Sequence, residues 1–317
     1  MAPKTLLVRA DFYERHRERL KELAPNVRFL TFHDREEMLQ KLPEADGLYG
    51  ASPREDILER ATRLRWVHMR SAGVDRYMPR ALAERGITLT KGSGAYDIPI
   101  AEHVLAMMFA FARGLHRFIR NQIAGVWDRS YRPVQLAGKT LGVYGMGSIG
   151  TELARKAHGL GMRVYGIAYH PRPAPGFVEA LWTPDRLDDL LEVSDFFAVC
   201  VPLTEATRGM FGRREFQRMK RTAYFFNIGR GATVRQDELI EALQAGEIAG
   251  AGLDVTDPEP LPPDSPLWKM ENVILTPHIS GSSDQTEQRA DAIVLENIRR
   301  FAHDEPLLNV VHPDLGY

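Results

Sequence analysis

The stretch TLGVYGMGSIG, Thr140 to Gly150, decides how the rest of the chain is read. It opens as a run of strand-forming residues, continues as G-x-G-x-x-G, and is followed by TELARKAHG, which has a helical pattern. Glycines at this spacing are common in loops, but a set that follows a strand and opens a helix has a physical use. Backbone N–H groups at the helix start can face a pyrophosphate, and residues lacking Cβ let it come close. The segment predicts a dinucleotide site at Gly145, Gly147 and Gly150, with the amides of Ser148 and Ile149 turned to phosphate. A tight strand-to-helix turn without ligand is the alternative reading of the same residues.

Downstream, the strand-like runs MRVYGIA, DFFAVCV, AYFFNI, AGAGLDV and VILT alternate with the helical stretches PDRLDDLLEVS, FGRREFQRM and RQDELIEALQAG. That is a complete doubly wound unit with a parallel sheet. Upstream lies a second alternation: TLLVRA, FYERHRERLKELA, VRFLTF, DREEMLQKL, GLYGAS, PREDILERAT, RWVHMRS. The first domain is therefore also α/β. Between the two, after ITLTKG and the loop GSGAYDIP, a helix is expected over roughly 98–125, its first half apolar apart from Glu102 and His103. A helix apolar nearly all round must be buried on several sides, so it is expected to cross between domains and contribute to a subunit interface. A last helix over roughly 284–303 precedes a proline-containing tail expected to return to the first domain. The expected division is 1–97 and 285–317 for the substrate domain and 98–284 for the dinucleotide-binding domain.

The bulk properties exclude several classes. A chain of 317 residues can bury two cores, and a net charge of -1 shows no bias toward nucleic acid or an anionic membrane. The single cysteine, Cys200, cannot build a disulfide framework and points to a reducing cytosol. The apolar stretch before Arg9 is too short for a signal peptide, and Glu102 and His103 interrupt the longest apolar run. The expectation is a cytoplasmic protein with no membrane or nucleic-acid partner and no metal site.

The dinucleotide fingerprint asks for an acidic residue at the end of the second strand, where it takes the ribose hydroxyls of NAD. Here MRVYGIA is followed by Tyr169, His170 and Arg172, with no carboxylate to repel a 2′-phosphate and a guanidinium able to pair with one. NADP is the expected preference, with NAD possible. Alternatively His170 and Arg172 are solvated loop residues and NAD is accepted without an acidic contact.

Three later strand ends carry candidate chemistry. In Asn227-Ile228-Gly229-Arg230-Gly231 the flanking glycines predict a backbone shaped to present Arg230, which can grip a carboxylate through two parallel hydrogen bonds or serve as a surface ion-pair residue. In GLDVTDPEP, Asp254 closes a strand and Glu259 is held between Pro258 and Pro260, either as a stiffly placed carboxylate or as an ordinary turn residue. In LTPHISGS, His278 follows a short strand and is one of ten histidines.

Taken in order, G-x-G-x-x-G, N-x-x-R-G, G-x-D-V with E-P, and T-P-H resemble the D-isomer-specific 2-hydroxyacid dehydrogenases. So do AGVD at 72–75, PIAEHVLAMM at 99–108 and SDFFAVCVPLT at 194–204, and the likeness runs over nearly the whole chain. The resemblance implies a Rossmann dinucleotide-binding domain inserted in a smaller flavodoxin-like α/β substrate domain, a site in a cleft that closes around substrate, and a homodimer. It implies that Arg230 binds the substrate carboxylate and polarises the ketone, that His278 is the acid/base, and that Glu259 pairs with His278. It implies a backbone cradle for the carboxylate at Ala72, Gly73 and Val74, with Tyr96 lining the pocket. Pro202, Thr207, Ile228, Asp254 and Gly281 are placed around the cofactor, Asp254 near the nicotinamide carboxamide.

The chemistry agrees with those roles. Reducing a 2-keto acid needs a hydride and a proton for the carbonyl oxygen, and an imidazolium delivers a proton well near neutral pH. A carboxylate beside an imidazole favours its charged form, and an arginine with an imidazolium stabilises the developing oxyanion. The sequence departs from the family at the acidic ribose position, and no regulatory domain follows the tail, which argues against the long phosphoglycerate dehydrogenases. The implied function is NAD(P)H-dependent reduction of a small 2-keto acid such as glyoxylate or hydroxypyruvate to the D-2-hydroxy acid. The alternatives are a dinucleotide-sensing scaffold resembling a corepressor, or a dehydrogenase for phosphoglycerate, D-lactate, formate or phosphite.

Overall fold

Strands apolar on both faces need cover on both, and each half of this chain solves that problem in its own sheet. The computed structural model describes residues 3–75 and 77–317, which divide into two compact units, Met1–Tyr96 with Ser283–Tyr317, and Asp97–Ser282.

In the first unit, β1 (Lys4–Arg9), β2 (Val27–Phe32), β3 (Gly47–Tyr49), β4 (Trp66–Met69) and β5 (Thr88–Lys91) form a parallel sheet in the order β2-β1-β3-β4-β5. This is the flavodoxin-like order. Successive residues of β1 point to opposite faces: Leu6 and Val8 pack with Phe12, Leu20, Val294 and Ile298, while Leu7 packs with Met38, Ile57 and Leu82. One face is thus covered by α1 (Ala10–Leu23) and the C-terminal helix Thr286–Ala302, and the other by α2 (Arg35–Lys41), α3 (Glu55–Arg60) and α4 (Pro79–Glu84).

The second unit opens with α5 (Asp97–Arg113) and α6 (Leu115–Ala124). The expected single helix over 98–125 is therefore two helices, bent by 70° at Gly114. Gly114 has φ +72, and a Cβ there would lie 2.6 Å from the Tyr131 ring, so both backbone and packing require glycine at the break. The two halves also differ in burial: Val104, Met108 and Phe111 of α5 are buried, whereas α6 buries none of its residues. Phe111 stacks on Tyr224 at 4.8 Å, so the apolar face of α5 is used by its own unit's core. No single helix among the described residues is long and apolar enough to cross a membrane.

The second sheet contains β6 (Thr140–Tyr144), β7 (Arg163–Ile167), β8 (Ala180–Trp182), β9 (Phe196–Val199), β10 (Tyr224–Asn227), β11 (Gly250–Leu253) and β12 (Val273–Leu275). All seven are parallel, in the order β12-β11-β10-β9-β6-β7-β8. The chain runs outward from β6 to β8, then returns to place β9 beside β6, so the strand order reverses at the carboxyl end of β6. That reversal opens the crevice where such sheets take ligands. The short edge strand β8 is not anticipated from the sequence: its three residues are all half-buried and it pairs only with β7.

Candidate active site

Parallel strands bring the loops after β6, β7, β9, β10, β11 and β12 to one edge of the sheet, and every cofactor candidate of this unit lies in one of those loops or, for Ser148, Ile149 and Gly150, in the first turn of the helix that follows β6. At the first, each glycine has a distinct constraint. Gly145 has φ +104, and a Cβ on it would lie 2.9 Å from the main chain of Cys200. A Cβ on Gly150 would collide with the carbonyl oxygen of Gly145, which lets α7 (Ser148–Gly159) start hard against the strand. Gly147 is different: nothing lies within 4 Å of where its Cβ would stand. Its bareness serves no contact within the protein, and no side chain caps the first amides of α7. Open space beside exposed helix-start N–H groups fits a pyrophosphate.

After β7, a pocket of about 260 Å³ is lined by Ala168, His170, Pro171, Arg172, Leu181, Trp182, Thr183, Asp185 and Arg186. His170 and Arg172 are both exposed at it, and Arg172 donates to the carbonyl of Met146 inside the glycine turn. The pocket also holds a carboxylate that the strand-end reading misses, because Asp185 arrives from the turn after β8. Arg186 arrives with it, its guanidinium 5.0 Å from the Trp182 ring centroid and paired with Asp189. The unanticipated β8 is the reason both were overlooked.

Beyond β9, Thr207 closes its own loop, donating from Oγ1 to the Pro202 carbonyl at 2.8 Å and accepting from the Thr204 amide at 2.8 Å. Ile228, after β10, is buried. The glycines around Arg230 act by close approach: a Cβ at Gly229 would lie 2.5 Å from the Val201 carbonyl oxygen, and one at Gly231 would run into the main chain of Thr256. The Arg230 turn is thereby wedged between the loops after β9 and β11. Buried Asn227 braces it, donating from Nδ2 to the Arg230 carbonyl at 2.9 Å and accepting from the Gly229 amide at 3.1 Å. Arg230 itself is half-buried and donates from Nη1 to the Gly229 carbonyl at 2.8 Å.

The loops after β11 and β12 bring Glu259 and His278 together, with His278 Nδ1 3.0 Å from both carboxylate oxygens. An ionised carboxylate only accepts, so Nδ1 carries one proton, and Nε2 is the nitrogen at which a second proton can be held or released. The His278 side chain is 47% exposed. His278 adopts φ +51, held there by Asp254. The Asp254 main-chain oxygen accepts from the His278 amide at 2.8 Å, and its carboxylate accepts from the amides of Ile279 at 2.9 Å and Ser280 at 3.0 Å. Burial pushes the Asp254 carboxyl up, and donors from Ser280, Thr276 and Ile279 outweigh it, so the group stays below its ordinary value as a carboxylate. Gly281 follows in the same loop, half-buried.

In the first unit, the loop after β4 carries Ala72, Gly73 and Val74. Ser71 donates from Oγ to the Gly73 carbonyl at 2.8 Å, and Val74 is buried in the core. Tyr96 donates to the Arg70 carbonyl at 2.9 Å, and burial pushes its phenol above the ordinary value.

The model of the D-isomer specific 2-hydroxyacid dehydrogenase NAD binding domain matches residues 105–280. The chain is 38% identical over 268 residues to a glyoxylate reductase of Korarchaeum cryptofilum, covering 82% of this chain and 80% of that protein. It is 35% identical over 292 residues to a D-3-phosphoglycerate dehydrogenase of Methanocaldococcus jannaschii, covering 90% of this chain and only 55% of the longer relative. Among solved structures it is similar to an NADPH-dependent glyoxylate/hydroxypyruvate reductase of Sinorhizobium meliloti in complex with NADP and sulfate, with TM-score 0.82, 29% identity, and 99% and 100% of the two chains covered.

Proposed function

Because the chain belongs to the D-isomer-specific 2-hydroxyacid dehydrogenases, a family of NAD(P)-dependent oxidoreductases, we propose that it reduces a small 2-keto acid of the glyoxylate or hydroxypyruvate class with NADPH. The observation that carries this reading is the Glu259–His278 pair at 3.0 Å, set on the same sheet edge as the wedged Arg230 and the open face of Gly147.

When bound, the dinucleotide would supply the hydride. Arg230 pairs with the substrate carboxylate and draws electron density from the adjacent carbonyl. His278, its ring oriented by Glu259 through Nδ1, delivers a proton from Nε2 to the carbonyl oxygen as that oxygen gains negative charge. Hydride on carbon and proton on oxygen make the D-2-hydroxy acid, and the imidazole recovers its proton from water. Ala72, Gly73, Val74 and Tyr96 are assigned to substrate binding on the family resemblance.

The NADPH preference rests on the pocket after β7, where the guanidinium of Arg172 and the imidazole of His170 stand beside Asp185 and beside Arg186, which is itself paired with Asp189. Pro202, Thr207, Ile228, Asp254 and Gly281 are assigned to the cofactor's surroundings on the family resemblance. A homodimer in the cytoplasm completes the reading; a second copy would cover Leu115, Ile119, Ile123 and Trp127, which are all exposed. Sedimentation showing a monomer would remove that part.

The test is to mix the purified protein with glyoxylate, hydroxypyruvate, phosphohydroxypyruvate and pyruvate in turn, with NADPH or NADH, and follow absorbance of the reduced cofactor. Glyoxylate and hydroxypyruvate with NADPH are expected to give the highest kcat/KM. Preference for the phosphorylated acid would replace the substrate assignment, and no turnover with any keto acid would overturn the reductase reading.

A further inference from the structure

His103 and Glu102 are the two polar interruptions in the apolar part of α5, and they point to different work. Glu102 is exposed and pairs with Lys156 of α7 at 2.9 Å. His103 is half-buried, and its Nε2 lies 2.9 Å from Thr276 Oγ1. Thr276 Oγ1 in turn lies 2.6 Å from Asp254 Oδ1.

Counting protons fixes the direction of this chain. A threonine hydroxyl has one proton, and a carboxylate accepts only. The short contact gives that proton to Asp254, which itself is 1% exposed. Thr276 Oγ1 must then accept from His103, so His103 is the tautomer with hydrogen on Nε2. The relay runs from His103 through Thr276 to the carboxylate that holds the amides of Ile279 and Ser280, while the same residue's main chain holds the amide of His278. Each link ends on the backbone that keeps His278 in its left-handed conformation.

We propose that His103 and Thr276 are positioning residues for His278, acting through Asp254. The inference rests on His278 being the proton donor of the reaction. With the His103 donor removed, the Thr276 hydroxyl turns freely, Asp254 loses a directed partner, and the loop holds the imidazole less tightly. Small misplacement of a catalytic group weakens turnover far more than binding.

The experiment uses His103→Leu, Thr276→Val and the double variant, each checked for folding by thermal melting and for cofactor binding by fluorescence. Each single variant is expected to lower kcat about tenfold with KM and dinucleotide affinity nearly unchanged. The double variant is expected to be no worse than the weaker single variant, because both cut one relay. His103→Gln, whose amide N–H reaches to a similar place, is expected to restore most of kcat. A His103→Leu enzyme with wild-type kcat, or losses that multiply in the double variant, would overturn the proposal. Should the wild-type protein turn over no keto acid, the reductase reading fails by itself, and amide hydrogen exchange still decides the relay. Ile279 and Ser280 are expected to exchange about tenfold faster in either single variant while strand amides do not change; unchanged exchange there sinks it.

Discussion

The glycine turn after β6 and the His278 loop after β12 both end a parallel strand of one sheet, yet they are shaped by opposite means. At the turn, absent atoms set the conformation: Gly145 and Gly150 exist because the main chain of Cys200 and Gly145 occupies the space a side chain would need. At the loop, added atoms set it: Asp254 gathers the amides of His278, Ile279 and Ser280 and the hydroxyl of Thr276. A turn defined by close packing fails when an atom is added. A loop defined by hydrogen bonds fails when one is removed. On the proposed reading the turn takes the cofactor's phosphates, which need an unreactive, fixed cradle, and the loop carries the proton donor, which needs a ring whose tautomer and direction are both specified.

The largest effect should come from the loop's working end. His278→Ala is expected to lower kcat about a thousandfold while leaving dinucleotide affinity intact, since it removes the proton donor and leaves the turn untouched. Stopped-flow hydride transfer and fluorescence titration separate the two quantities. A kcat close to wild type would remove His278 from the chemistry. Next is Arg230→Ala, expected to lower kcat/KM about a hundredfold with KM rising and kcat falling together, as a charged partner of the substrate is lost. A change in cofactor affinity alone would shift Arg230 out of the substrate site.

The turn can be probed by two alanines that differ only in surroundings. Gly150→Ala pushes a methyl group into the Gly145 carbonyl oxygen and is expected to cost about 1–3 kcal/mol of stability. Gly147→Ala meets nothing in the protein, so its melting temperature should stay near wild type while dinucleotide affinity falls about tenfold. Equal destabilisation by both substitutions would mean that Gly147 serves the fold rather than the ligand.

The same contrast explains what could be read from the sequence. Two α/β sheets were legible because strand-helix alternation reports burial on both faces, and the glycine turn was legible because glycine names its own conformational need. The break at Gly114 was not, because a helical pattern continues past it and the Tyr131 ring packed against Gly114 is a contact that spacing does not encode. Strand β8 was hidden by its three half-buried residues, and with it the arrival of Asp185 and Arg186 in the pocket after β7. Glu259 and His278 are 19 residues apart, and only the order of motifs, not their chemistry, gave reason to pair them. The Asp254 network was legible as an acidic strand end but not as an organiser, since main-chain amides carry no sequence signature.

The smallest effect tests where the two kinds of construction meet. Arg172 and Thr151 both donate to the Met146 carbonyl, so even the turn built on absent atoms has side-chain braces. Arg172 therefore has two possible duties: steadying the turn, or pairing with a 2′-phosphate in the pocket it lines with His170. The duties separate on substitution. A brace holds the turn for any dinucleotide, so its loss weakens NADPH and NADH alike. A phosphate partner acts only on NADPH, and at an exposed site the pairing is screened, which limits the expected loss for Arg172→Ala to about tenfold in NADPH affinity with NADH nearly unchanged. Equal losses for the two cofactors would leave Arg172 as part of the turn and move the preference to His170 and Arg186.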